Sequence, residues 1–279
     1  MFQVKVMTAN DYGFAVDLAN TLDWGMETAD FRFNQSLEPE GCLTLFNGSE
    51  RVGIATCISF GNKGWFGNLI VKPEYRKQGA GRLLLEHAIN HLKGKGVETI
   101  GLYAYQHLKK FYAKSGFKAD IDLTVMHNNK IQPADWNQPN FETEPDFSAL
   151  NRFDTQFFGA DRSRLLKAII QEKTNLCYAS IDGKDVDGYV LAKVSESMAE
   201  VGPLVCNPDK SEVAAELLKA TFTKLESRRA ALYLPQNQNE LQQFLVDAGF
   251  KKDFSLSRMF LGVPKIQNSI HLAESLERG

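Results

Sequence analysis

Several things are scarce in this chain, and each scarcity excludes something. Long apolar runs are missing. No stretch of the 279 residues reaches the roughly 20 apolar positions of a membrane-spanning helix, and the opening MFQVKVMTANDYG has no apolar core of a signal peptide. Cysteine is scarce. The four present (Cys42, Cys57, Cys177 and Cys206) form no CxxC pair and have no histidine at ligand spacing, so the sequence offers neither a disulfide framework nor a zinc site, and buried reduced thiols are expected. An excess of either charge is also missing. Thirty-two Lys and Arg against 34 Asp and Glu give a net charge of -2, which supplies no basic field for a polyanion. The expectations are a cytoplasmic protein, a monomer or homodimer, with no nucleic-acid and no membrane partner.

What is present is an ordinary globular composition, 43% hydrophobic and 24% charged, at a length that suits two domains better than one. The first half opens with a strand over 2–7 and a helix launched near Asn10. A second helix follows over 27–37, then strands over 42–46, 52–60 and 65–71. Asn47-Gly48-Ser49 fits a glycosylation sequon but reads better as the hairpin turn between LTLF and RVGIATCISF. A helix over 79–93 carries Leu85, Ala88, Ile89 and Leu92 on one face, and Gly94-Lys95-Gly96 stops it. A strand over 99–104, a short helix over 108–114 and a strand pair over 117–126 complete the half. Residues 131–146 (IQPADWNQPNFETEPD) have no periodicity and read as a linker between a domain at 1–130 and another at 147–279.

Behind the linker the order repeats: helices over 147–171, strands over 176–180, 187–193 and 199–206, helix over 211–226, strand over 230–234, helix over 240–247, strand over 253–261. FYAKSGF at 111–117 aligns with FLVDAGF at 244–250, placing Gly116 and Gly249 133 residues apart. VKPEYRKQGAGRLL aligns with CNPDKSEVAAELL, placing Pro73 and Pro208 135 residues apart. Two anchors in near register with the same surrounding elements indicate duplication.

The chemistry-bearing stretch is GNLIVKPEYRKQGAGRLLLEHAINHL. An apolar strand ends at Val71, Pro73 stops it, and Arg76, Lys77, Gln78, Gly79, Ala80 and Gly81 lead into a helix. The N–H groups of a helix N-terminus are unpaired and carry partial positive charge, so this turn suits a pyrophosphate. Gly79 and Gly81 keep side chains out of the way, and Lys77 and Arg82 add charge at the rim. A dinucleotide fold would need a third glycine near Leu84, and a P-loop would need Gly-Lys-Ser/Thr; both are missing. His87 and His91 stand four apart, but Ala88 occupies the place of a metalloprotease glutamate and no third ligand is evident. Two surface histidines and no metal are expected.

Val71, Pro73, Arg76, Gly79 and Gly81 resemble the V-x-P-x-x-R…G-x-G signature of the GNAT superfamily of N-acyltransferases. Tyr112, four residues before Gly116 in FYAKSGF, falls where that family carries a tyrosine beside the CoA sulfur. The family's frequent asparagine seven residues earlier is Tyr105 here. The resemblance covers residues 1–127, and FGADRSRLLKAI with VGPLVCNPD resembles the C-terminal domain of a two-domain GNAT group. It implies an α/β fold with two tandem GNAT-like domains, each a mixed sheet flanked by helices, the second one degenerate.

The same resemblance implies a reaction. Acetyl-CoA would lie where the strands at 65–71 and 99–104 splay apart. A bulge in the first would free N–H groups around Leu69, Ile70 and Val71 for the pantetheine and the thioester carbonyl. The acceptor would be the primary amine of a small molecule, attacking directly, with Tyr112 as the catalytic donor to the departing thiolate. No Asp or Glu stands on the strand at 65–71 to serve as base. Asp23, Trp24, Glu27 and Asp30 fall in the loop and helix that wall the acceptor site in the family, where the carboxylates are either bases or solvated helix-face residues. Asp161 and Arg162 either bind the acceptor or start a helix, with Asp161 as its N-cap. A protein or peptide N-acetyltransferase and a silent acyl-CoA-binding regulator are the competing functions.

Overall fold

The computed structural model describes the chain except residues 135, 137–140, 211 and 265–269. Contacts divide it into two units, Met1–Leu102 with Leu261–Val263 and Arg278, and Tyr103–Phe260 with Pro264–Glu277 and Gly279. The elements of the first unit are β1 (Phe2–Val6), α1 (Tyr12–Asn20), α2 (Thr28–Leu37), β2 (Cys42–Asn47), β3 (Glu50–Phe60), β4 (Lys63–Val71), α3 (Ala80–Gly94) and the start of β5 (Thr99–Tyr105). Strands β1 to β4 are joined antiparallel in chain order, and β5 lies parallel to β4. The β2–β3 hairpin turns at Gly48 and Ser49, with Gly48 at φ 63°, where a side chain would be strained. Helix α3 buries Leu84, Leu85, Ala88, Ile89 and Leu92, the stripe its 3.6-residue spacing dictates.

One buried carboxylate ties three elements of this unit together. Glu38, at the end of α2, is 1% exposed. It accepts the backbone N–H of Ser59 at 3.0 Å and its hydroxyl at 2.6 Å, and pairs with Lys95 and with His91, the latter at 3.2 Å. Burial pushes the Glu38 carboxyl up, but the hydrogen bonds from Lys95, Ser59 and His91 outweigh it and hold the pKa at about 2 against 4.5. A depressed folded pKa gives stability that is complete above pH 4.5 and lost as pH falls towards 2, worth about 3 kcal/mol. Glu38→Gln is therefore expected to lower stability at pH 7, and chemical denaturation across pH should show the deficit against wild type shrinking between pH 5 and pH 2. A deficit that is constant with pH would contradict this.

The second unit takes in the rest of β5 and holds α4 (Lys109–Ala113), β6 (Lys118–Asn128), α5 (Phe147–Phe158), α6 (Ser163–Gln171), β7 (Leu176–Asp182), β8 (Asp185–Val194), β9 (Ala199–Cys206), α7 (Glu212–Lys224), β10 (Ala230–Pro235), α8 (Asn239–Asp247), β11 (Lys251–Leu261) and β12 (Ile270–Leu272). Its strands run in the order β11-β6-β10-β9-β8-β7, with β12 added on β9. The pair expected over 117–126 is the single strand β6, flanked antiparallel by β10 and β11. That pairing carries residues from 103 onward into the second unit, so the division by contacts falls at Leu102, ahead of the linker expected at 131–146. The described part of that stretch is packed. Ile131 is buried, Trp136 and Phe141 lie against the second unit's core, and Glu142 bridges Ala179. Residues 135 and 137–140 of the expected linker, and Ser211 at the expected start of a helix, lie outside the described residues. The helices expected over 147–171 are α5 and α6, separated at Gly159, which ends α5 at φ 78°.

The two units repeat each other down to the same irregularity. Between β3 and β4 the register runs Ile54↔Ile70 and then Thr56↔Gly67, so β4 holds one extra residue. Between β8 and β9 it runs Val190↔Leu204 and then Ala192↔Val201, so β9 holds one as well. Gly67 to Val201 and Ile70 to Leu204 are both steps of 134 residues. A shared bulge is a feature of backbone geometry, and two helices that look alike by chance would not reproduce it.

Candidate functional site

The extra residue of β4 falls at Asn68 and Leu69. Asn68 sits in the left-handed region at φ 51°, and its side-chain amide donates to the Thr56 hydroxyl at 3.2 Å, which fixes the bulge against β3. Beyond it, Lys72 donates its N–H to the Val52 carbonyl of β3 at 2.9 Å. Strand groups alternate sides, so the Val71 N–H faces the opposite edge, towards β5. Among the described residues the parallel ladder there has three pairs, ending at Trp65↔Gly101. From Phe66 to Val71 the β5-facing edge of β4 is therefore not laddered to β5. The resemblance implied a bulge in this strand, and Gly67 and Asn68 are residues that tolerate the conformation it needs.

The turn after β4 keeps a helix end open. Arg76 folds back so that its Nε donates to the Val71 carbonyl at 2.8 Å, and Gln78 donates to the Glu74 carbonyl at 2.7 Å. Lys77, exposed, takes φ 60°, and Gly79, the residue before α3, takes φ 86°. The first i→i−4 bond is Leu83 N–H to the Gly79 carbonyl at 3.0 Å, which leaves Ala80, Gly81 and Arg82 as the unsatisfied first turn of α3. Among the described residues, and apart from its chain neighbours, a Cβ at Gly79 would meet no atom within 4 Å, so the space beside these donors is open. Arg82 pairs along the surface with Glu86 at 2.7 Å. Leu69 to Val71 and Gln78 to Arg82 thus belong to one short segment of the first unit. Of the two arginines, Arg76 holds the turn's shape and Arg82 and Lys77 supply surface charge.

Tyr112 belongs to the second unit by its contacts. It is 6% exposed, with Phe111 at 4.9 Å and Phe117 at 6.1 Å, both edge-on. Burial raises its hydroxyl well above the usual phenol range, so the side chain stays protonated and can donate but not act as a base. Tyr105 is stacked between His107 at 5.8 Å and Phe254 at 5.6 Å.

The acceptor-site candidates fare differently. Asp30 accepts the Glu27 N–H at 2.7 Å and the two form a capping box at the start of α2, so both have a structural task. Asp23 is exposed in the preceding turn at φ 57°, and Trp24 packs against the cluster of Tyr12, Phe31 and Ile70. Asp161 accepts the Ser163 N–H at 2.8 Å just ahead of α6, but the N-cap of that helix is Arg162, one residue after the position expected. Arg162 corrects the acceptor alternative. It is fully buried and donates twice to Asp154, at 2.9 and 2.8 Å, beneath the Phe158 ring, which leaves no face for a substrate. His91 pairs with Glu38 instead of lying free on the surface beside exposed His87, and among the described residues no group of three side chains is arranged to hold a metal.

A model described as the acetyltransferase (GNAT) family matches residues 15–117, and one described as an acetyltransferase (GNAT) domain matches residues 150–272. The fold and these matches define an N-acetyltransferase class. The chain belongs to the GNAT superfamily and carries two GNAT domains in tandem. It is similar to the uncharacterized N-acetyltransferase YitH of Bacillus subtilis, 27% identical over 210 residues, covering 72% of this chain and 71% of that protein. Its fold is that of a candidate acetyltransferase of Pyrococcus horikoshii, at TM-score 0.84 and 20% identity over 100% of this chain and 96% of that one. It is also that of a tandem GNAT protein from the clavulanic acid biosynthesis pathway, at TM-score 0.65 and 15% identity over 94% and 98%. No helix among the described residues is long and apolar enough to cross a membrane.

Proposed function

We propose that this protein transfers an acetyl group from acetyl-CoA to the primary amine of a small molecule, with one acetyl-CoA held by residues of its first unit. The observation that carries the reading is the joint presence, within residues 68–82, of a bulged strand with outward N–H groups and an uncapped helix start opened by Gly79. A long thioester with a pyrophosphate uses both; a dinucleotide site uses the helix start but not the bulged strand, and a metal site uses neither.

Acetyl-CoA supplies the activated acyl carbon: the amine nitrogen bonds to it as the carbon–sulfur bond breaks and the electron pair leaves on sulfur. The N–H groups of Ala80, Gly81 and Arg82, with Lys77 beside them, would hold the pyrophosphate. The Val71 N–H and its neighbours would bind the pantetheine and polarise the carbonyl, the negative charge growing on its oxygen being met by fixed dipoles. Tyr112 has the role of donor to the thiolate, supported by its family spacing and its permanently protonated phenol. With no carboxylate on β4, and with Glu27 and Asp30 engaged in the α2 cap, the amine proton leaves through water. The acceptor is a small amine, and neither nucleic acid nor a membrane takes part.

Thiol release from acetyl-CoA, assayed against a panel of small amines and of peptides, tests the reading. Turnover with one or more small amines is expected. Turnover confined to peptides would change the acceptor class, and none with either would leave only a binding role. For Tyr112→Phe, turnover is expected to fall about 10–100-fold with acetyl-CoA affinity unchanged, as for a group acting in the transition state. Equal turnover in the two proteins would return Tyr112 to the core.

A further inference from the structure

The second unit contains the counterpart of the β4 edge, and that counterpart is occupied. By the 134-residue step, Asn68, Leu69, Ile70 and Val71 correspond to Gly202, Pro203, Leu204 and Val205. The parallel partner β10 is again joined over three pairs, ending at Leu232↔Val201. Past that point the edge of β9 is not open. Strand β12 runs antiparallel along it, with Ile270 opposite Val205 and Leu272 opposite Leu204. The next residue closes the other side, Ala273 donating its N–H to the Tyr233 carbonyl of β10 at 3.1 Å.

The fit of this insert is close and clamped. A Cβ on Gly202 would lie 2.0 Å from the Ala273 carbonyl oxygen, so only glycine at the bulge lets the segment pass. Leu272 is fully buried in the second unit's core. Glu274, also fully buried, pairs with Lys193 of β8 at 2.5 Å, and Lys193 pairs in turn with Glu200 of β9. Of the three residues matching Leu69 to Val71, the first is now a proline with no N–H to give, and the other two lie opposite β12.

We propose that residues 270–274 are a built-in occupant of the second unit's strand cleft, seated where a pantetheine arm would lie, and that they close this cleft to acyl thioesters. The assignment rests on the proposed function for what an open cleft would bind. It is separate from the replacement of Gly79 and Gly81 by Ala214 and Glu216 in the aligned turn, which removes the pyrophosphate site but would leave an open cleft able to take a thioester without a pyrophosphate.

Hydrogen–deuterium exchange on the full chain, with acetyl-CoA and separately with S-acetylpantetheine at saturating concentration, tests it. Pantetheine carries no pyrophosphate, so only the state of each cleft decides where it acts. Peptides covering 270–273 and 202–206 are expected to be slow without ligand and unchanged by either compound. Peptides covering 69–72 are expected to slow by about tenfold or more with both. Exchange of 270–273 at the rate of unstructured chain, or slowing of 202–206 by pantetheine, would overturn the assignment. If 69–72 stayed unresponsive while 270–273 was protected, the acetyl-CoA reading would fall and the seated segment would stand.

Discussion

Gly79→Asp is expected to abolish the rise in melting temperature that acetyl-CoA or free CoA gives the wild-type protein. A ligand at one hundred times its Kd stabilises the folded state by about 2.7 kcal/mol, several degrees for a protein of this size. Gly79 stands at φ 86° immediately before α3, with open space where a side chain would go. An aspartate there is strained by about 1 kcal/mol, and its carboxylate would lie beside the N–H groups of Ala80, Gly81 and Arg82. It would accept their hydrogen bonds itself and repel a pyrophosphate. Losing two or more charge-assisted bonds costs about 3 kcal/mol, or roughly 100-fold in affinity. Gly79→Ala separates strain from charge: it should lower stability slightly and retain most of the ligand shift. Differential scanning fluorimetry of the three proteins, with and without ligand, reads both effects. An undiminished shift in Gly79→Asp would contradict the pyrophosphate site.

The second large effect is expected from Asp154, at the centre of the second unit's buried charge pair. Asp154 accepts two bonds from Arg162 and one from the Tyr189 hydroxyl at 2.6 Å, and all three side chains are buried. Asp154→Ala would leave a guanidinium and a phenol without their acceptor in a place water does not reach. Removing one partner of a buried pair costs about 3–5 kcal/mol, a large part of a domain's whole stability. The double variant Asp154→Leu with Arg162→Met removes both charges together and should recover part of that loss. Urea denaturation would show the single variant unfolding well below wild type and the double variant between them. A cost below 1 kcal/mol for Asp154→Ala would mean that the pair is not isolated from solvent. Because the pair belongs to the second unit, acetyl-CoA binding at the glycine turn should survive any variant that still folds.

The sequence made the donor end of the site readable because its signals are local. Pro73, Gly79 and Gly81 constrain backbone within a few residues, and the stripe from Leu85 to Leu92 follows from helix periodicity. The tandem repeat was equally readable, since aligned motifs survive although the second copy has Ala214 and Glu216 in place of Gly79 and Gly81, and Glu212 in place of Lys77. What was hidden depends on partners far along the chain. Glu38 meets Lys95 and His91, Asp154 meets Tyr189, and β12 lies on β9. None of these pairings leaves a periodic trace. Arg162 read as a possible ligand because a buried arginine and an exposed one are spelled alike, and only the position of Asp154 distinguishes them. Glu27 and Asp30 were ambiguous for a related reason: a carboxylate three residues into a helix serves its cap or a substrate with the same side chain.

The most direct test of the central claim is calorimetric titration of the whole chain with acetyl-CoA. One site per chain is predicted, lost in Gly79→Asp and retained in Tyr112→Phe. The second unit should contribute none, because the stretch matching the glycine turn has neither glycine and carries Glu212 and Glu216, which would repel a pyrophosphate, and β12 fills its cleft. Two equivalent sites, or one that survives Gly79→Asp, would contradict the account.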